Sequence, residues 1–120
     1  MGTTACDNTK EIQDTLLRIG IPTNLIGFVF LTRAIQTTIE DPVMLHHVMK
    51  GLYTNIANEY NSTPSRVERA MRHAIEVAWT YGDLDYIDEL FINSVNPLKG
   101  QPTNMQFISR LYFNYINEHK

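Results

Sequence analysis

With a single cysteine, Cys6, the chain has no partner for an internal disulfide, and no cysteine–histidine cluster has the spacing of a zinc site. The longest apolar run, Leu25 to Leu31, is interrupted by Gly27 and falls far short of the about 20 residues of a membrane span. Met1–Lys10 lacks the basic stretch followed by an apolar one that makes a signal peptide. These absences point to a soluble protein of a reducing compartment, the cytoplasm, without membrane contact. No segment alternates apolar and polar residues long enough to build a sheet, and there are no repeats or low-complexity tracts. An excess of base is missing too. Ten lysines and arginines face 13 aspartates and glutamates, a net charge of −3, whereas a typical nucleic-acid-binding domain is basic.

Net charge averages over a surface, and these charges are unevenly placed. Arg66 to His73 holds three arginines and one glutamate; Asp83 to Glu89 holds four carboxylates and no base. At 120 residues, 43% apolar and 19% charged, the chain makes one domain with an ordinary core, and disorder is excluded for most of it. The pattern predicts an all-α fold, a compact bundle of about six to seven helices. Thr9 is read as the cap of a first helix through Ile12, Leu16, Leu17 and Ile19, ended by Gly20 and Pro22. A second, apolar nearly all round and so expected at the centre, runs from about Asn24 to Glu40. Asp41-Pro42 is read as a cap and first-turn proline opening a third helix to about Leu52, with a short fourth at Thr54–Tyr60. A fifth runs from Pro64 to Tyr81 and a sixth over about Asp83–Ile92. After a loop at Asn93–Pro102, the capping box Thr103 to Gln106 starts a last helix through Tyr115. Residues 1–8 are expected to be a disordered linker stub.

Ile56–Trp79 carries the functional signal. A helix-turn-helix needs a small residue where its helices cross, a residue tolerant of positive φ four positions later, and a buried aliphatic six beyond that. Ala57, Asn61 and Val67 meet these needs, and Ile56 and Ala70 fall at further core positions. At about 100° per residue, Val67, Ala70, Met71, Ala74, Ile75, Val77 and Ala78 share one half of the fifth helix. Arg66, Glu68, Arg69, Arg72, His73, Glu76 and Thr80 share the other, and only Trp79 breaks the division. Arg66, Arg69 and His73 form a strip near the helix N-terminus, the end that a recognition helix presents to base edges. Arginine there can pair with guanine O6 and N7, and glutamate can accept from cytosine N4. The same face also reads as a solvated surface with Glu68–Arg72 and Arg69 or Arg72–Glu76 ion pairs.

The stretch from Ser65 to Trp79 (SRVERAMRHAIEVAW) closely resembles the recognition helix of the effector domains of stage 0 sporulation protein A. Ile19-Gly20-Ile21-Pro22, Leu52-Tyr53, Ile56-Ala57 and Pro102-Thr103-Asn104 extend the likeness over about Ile12 to His119. The resemblance implies a sporulation transcription regulator that binds double-stranded DNA at a TGTCGAA-like box, often in tandem copies, as a homodimer. It implies guanine contacts for Arg66 and Arg69, a contact to the cytosine side for Glu68, and a backbone contact for His73; Ser65 and Arg72, on the same helix, are read as further backbone contacts. Arg72 also reads as a partner of Glu68 or Glu76. Residues 9–120 are expected to be the effector domain, without the phosphorylated receiver domain of full-length members. Two lysines usual in the family are Asn58 and Glu59 here, and a usual arginine is Tyr81, so phosphate contacts are lost and binding is expected to be weaker. The resemblance implies a contact of 82–95 with the sigma subunit of RNA polymerase, yet its acids, Asp83, Asp85, Asp88 and Glu89, depart from the family pattern.

Other chemistry finds little support. Adjacent His46 and His47 point about 100° apart and cannot chelate one metal together, so no metal or other cofactor is expected. Cys6 has no neighbouring base to activate it, the acids lack calcium-loop spacing, and no acid, base and nucleophile converge as in an enzyme. Trp79, Phe107, Tyr112 and Tyr115 read as core rather than as a base-stacking platform. Tyr112 and Phe113 lie on neighbouring faces, so one is expected to stay exposed as a dimer contact. A second function class stays open, a helical protein-interaction module that keeps the fold without strong DNA binding.

Overall fold

The computed structural model describes residues 4–91 and 100–120, apart from the side chains of 4–7 and 46–50. Most of them lie in six helices: α1 (Thr4–Ile19), α2 (Ile26–Glu40), α3 (Met44–Glu59), α4 (Pro64–Tyr81), α5 (Leu84–Leu90) and α6 (Asn104–Glu118). The described residues include no strand, so the expected all-α bundle is what forms.

α2 is central, packing against α1, α3, α4 and α6. Its nearly all-round apolar surface requires this, because Phe28, Phe30, Leu31, Ala34 and Ile35 must all leave water. Three threonines sit in this helix without unpaired hydroxyls. Thr32, Thr37 and Thr38 each donate to the carbonyl four residues back, at 2.8, 2.8 and 2.9 Å. Gly27 lets α4 approach closely, since a Cβ there would stand 2.3 Å from the Ala70 carbonyl oxygen and 2.7 Å from Ala74 Cβ. A second close crossing joins α1 to the end of α4. Gly20, at φ +114°, ends α1 against Gly82, and Asp83 N–H donates to the Ile19 carbonyl at 3.1 Å.

The core unites Leu16, Ile19, Leu52, Ile56, Val67, Met71, Ile75 and Phe107, each 2% exposed or less. Burial of each such large side chain contributes about 1.5–3 kcal/mol. Trp79, the residue that broke the two-faced pattern of α4, turns inward at its edge. It packs edge-on against Phe91 and Phe107, with ring centroids 5.0 and 6.0 Å away.

Three boundaries differ from the sequence reading. α1 starts at Thr4, so Thr4–Asn8 are helical rather than a disordered stub and Thr9 is not a cap. Tertiary bonds hold this end. Tyr115 hydroxyl bonds to the buried Asn8 side chain, and Thr9 Oγ1 accepts from Gln36 Nε2 at 2.8 Å. The expected third and fourth helices are one, α3. Leu52 is buried and the Tyr53 hydroxyl accepts a hydrogen bond, so the chain stays helical through the expected break. Asp41-Pro42 forms a turn before α3 rather than its cap. Met44 and Leu45 N–H bond to the Asp41 and Pro42 carbonyls, and Asp41 Oδ1 accepts from Val43 N–H at 3.3 Å. Ile92 and most of the loop expected at Asn93–Pro102 lie outside the described residues.

Candidate nucleic-acid interface

α3, the turn at 60–63 and α4 build the motif from local bonds. α3 ends at Glu59 with Tyr60 as its cap, and Asn61 takes φ +55°. Ser62 N–H then bonds back to the Ala57 carbonyl at 2.8 Å, the six-to-one bond of a Schellman turn. Asn61 suits this because its short amide tolerates the left-handed region better than most side chains. Thr63 caps α4 by accepting from Arg66 N–H at 3.2 Å, and Pro64 occupies the first turn, where its missing N–H costs nothing. Ile56, Ala57 and Val67 are buried, and Ala70 is half-buried beneath the α2 crossing.

This core orients the polar face of α4 outward. Ser65, Arg66, Arg69, Arg72 and His73 are exposed and Glu68 is half-buried. Among the described residues, no hydrogen bond or ion pair engages the guanidinium of Arg66 or Arg69. Both cations are therefore available to an outside acceptor, on the first two turns of α4. Arg72 is engaged: its Nε and Nη2 donate to Glu68 Oε2 and Oε1 at 2.9 and 3.2 Å. That hydrogen bond lifts the Arg72 pKa above its ordinary value. Of the two readings open for Arg72 as an ion-pair partner, the structure shows the Glu68 one. His73 Nδ1 lies 3.8 Å from Glu76.

Several contributors are not apparent from sequence spacing. Asn104, the first residue of α6, donates through Nδ2 to the Glu68 carbonyl at 3.1 Å and to the Tyr53 hydroxyl at 2.8 Å. Burial pushes the Tyr53 hydroxyl pKa up, with the Asn104 bond acting the other way. Gln101 Nε2 donates to the Arg72 carbonyl at 3.4 Å. Arg33, on α2, clasps Glu59 with Nε at 2.9 and 3.1 Å from its two oxygens, and its Nη1 donates to Gln36 Oε1 at 3.1 Å. Glu59 is thus paired with a residue 26 positions away in the chain. Asn58 and Tyr81 are exposed.

Elsewhere, Phe113 is 50% exposed while Tyr112 is buried, so Phe113 is the aromatic left outside. Asp83 caps α5 by accepting from Tyr86 N–H at 3.1 Å, and Asp85, Asp88 and Glu89 are exposed. The described residues contain no group of three or more potential metal-ligating side chains. No helix among them is long and apolar enough to cross a membrane. The side chains of Cys6, His46 and His47, and residues 92–95 of the expected sigma-contacting segment, lie outside the described residues.

A small helical domain with a Schellman-turned helix-turn-helix and two free arginines at the start of its second helix has the architecture of a helix-turn-helix DNA-binding domain. The model of the family described as Sporulation initiation factor Spo0A C terminal matches residues 12–114, and the chain belongs to that family. It is a DNA-binding domain of the sporulation-regulator class, and the family is not one of enzymes.

Proposed function

We propose that the chain is a cytoplasmic, sequence-specific transcription regulator of sporulation initiation that reads a TGTCGAA-like box in the major groove with α4. Arg66 and Arg69 each address a guanine through O6 and N7, and Glu68 accepts from cytosine N4. Ser65, Arg72 and His73 face the phosphates. The observation that carries this reading is the pair of unengaged guanidiniums, Arg66 and Arg69, on the first turns of the helix that the motif directs outward. Tandem boxes are bound by two copies of the chain, with exposed Phe113 on α6 in the contact between them. The exposed acids Asp83, Asp85, Asp88 and Glu89 depart from the family pattern and argue against a sigma-subunit contact through 82–95, leaving an acidic patch for another partner.

The test is fluorescence anisotropy of a labelled duplex carrying two boxes, against a scrambled duplex, at two salt concentrations. Box-selective binding is expected, and its log affinity should fall with log salt by about 0.9 per phosphate neutralised. Equal binding to both duplexes, or none, refutes the reading and favours the protein-interaction module.

A further inference from the structure

Glu68 is the one acid on the DNA-directed face of α4 before Glu76, and it is the most tightly held side chain there. Arg72 grips both carboxylate oxygens, at 2.9 and 3.2 Å. The backbone at Glu68 and Arg72 is pinned by Asn104, at the start of α6, at 3.1 Å and by Gln101, in the segment before it, at 3.4 Å. Arg66 and Arg69 have no such bracing among the described residues. An ordinary exposed pair at i, i+4 needs neither a two-pronged grip nor a pinned backbone.

We infer that Arg72 is a positioning residue for base reading, holding the Glu68 carboxylate in one rotamer and cancelling its charge so that it can approach a cytosine amino group. The inference rests on the DNA reading above. Two physical problems make such a brace necessary. A bare carboxylate beside DNA is repelled by the phosphates, and a free glutamate samples several rotamers. The guanidinium removes both. It occupies two of the roughly four lone-pair sites of the carboxylate and leaves the others to accept from cytosine N4. Nη1 takes no part in the grip and remains available to a phosphate.

Lysine keeps the charge of Arg72 but cannot make the fork, so Arg72→Lys separates positioning from simple phosphate attraction. The experiment measures binding of the full chain to duplexes bearing each single base-pair substitution of the box. The proteins are wild type, Arg72→Lys, Glu68→Gln and the double variant, with thermal unfolding recorded for each. Arg72→Lys is expected to lower discrimination about tenfold at one C·G pair, the scale of one mismatched base pair in a site. Glu68→Gln should act at the same pair, the double variant should lose little more, and the salt slope of Arg72→Lys should match wild type. A loss spread evenly over all duplexes, a loss at different pairs for the two variants, or unchanged discrimination in Arg72→Lys overturns the inference. In each of those outcomes wild type still discriminates and the DNA reading stands; indiscriminate binding by wild type refutes both.

Discussion

Replacing Gly27 with alanine should strike where α2 crosses α4. The added Cβ would lie 2.3 Å from the Ala70 carbonyl oxygen and 2.7 Å from Ala74 Cβ. Neither atom is the end of a flexible side chain, so neither can swing aside. Restoring an ordinary contact of 3.4 Å requires the two helices to part by about 1 Å, against the Schellman turn and Asn104, which both hold α4 in place. Overpacking of this kind costs about 1–3 kcal/mol, and a backbone clash belongs at the upper end. The gain in helix propensity on replacing glycine, about 1 kcal/mol, offsets only part of it. At about 4–8 °C per kcal/mol for a domain near this size, the midpoint should fall by about 5–15 °C in thermal unfolding followed by far-ultraviolet circular dichroism. Gly51 provides the control. A Cβ there meets nothing nearer than Met44 Cε at 3.8 Å, so Gly51→Ala should stabilise by about 0.5–1 kcal/mol. The reasoning is refuted if Gly27→Ala melts at or above wild type, or if Gly51→Ala melts below it.

Arg66→Ala and Arg69→Ala should each cost about 1–3 kcal/mol of box binding and relax specificity at one base pair; a uniform loss over all sequences would move them to phosphates. Phe113→Ser should weaken binding to paired boxes and leave single-box binding intact in the same titrations, and equal losses would make Phe113 a fold residue. Glu59→Lys should restore a phosphate contact, steepening the salt slope by about 0.9, while breaking the clasp with Arg33. An unchanged slope would place the end of α3 away from DNA. Stability should also decline in alkali. Burial raises the pKa of Tyr53 and Tyr86 above 10.0, so the folded state holds their protons more tightly than the unfolded chain does. Their contribution is fully present below pH 10.0 and is lost as pH rises through the raised values, which denaturant titrations across that range would detect. Tyr53→Phe should flatten part of the decline.

The parts of this fold that are legible in the sequence are those set by neighbours three to six residues apart. The capping box at Thr103 and Gln106 closes as its spacing requires, with bonds of 3.1 and 2.9 Å. The turn at Asn61 and the outward face of α4 follow from the same local rules. The misread boundaries are held from a distance. Nothing within residues 1–8 announces that Asn8 will meet Tyr115, and Gly51, Thr54 and Asn55 are weak helix formers that tertiary packing of Leu52 overrides. The same holds at the site. Arg66 and Arg69 are visible from periodicity, whereas Arg33 on Glu59 and Asn104 behind Glu68 act across 26 and 36 positions. Their signal lies in three-dimensional packing alone.

If Arg66 and Arg69 read guanines from the major groove, they should shield guanine N7 from methylation by dimethyl sulfate. N7 lies on the major-groove edge and is the atom a bidentate arginine covers. The full chain should protect the box guanines, Arg66→Ala should expose one of them and Arg69→Ala another. Box guanines that stay fully reactive under saturating protein, or protection that survives both substitutions, would contradict that reading.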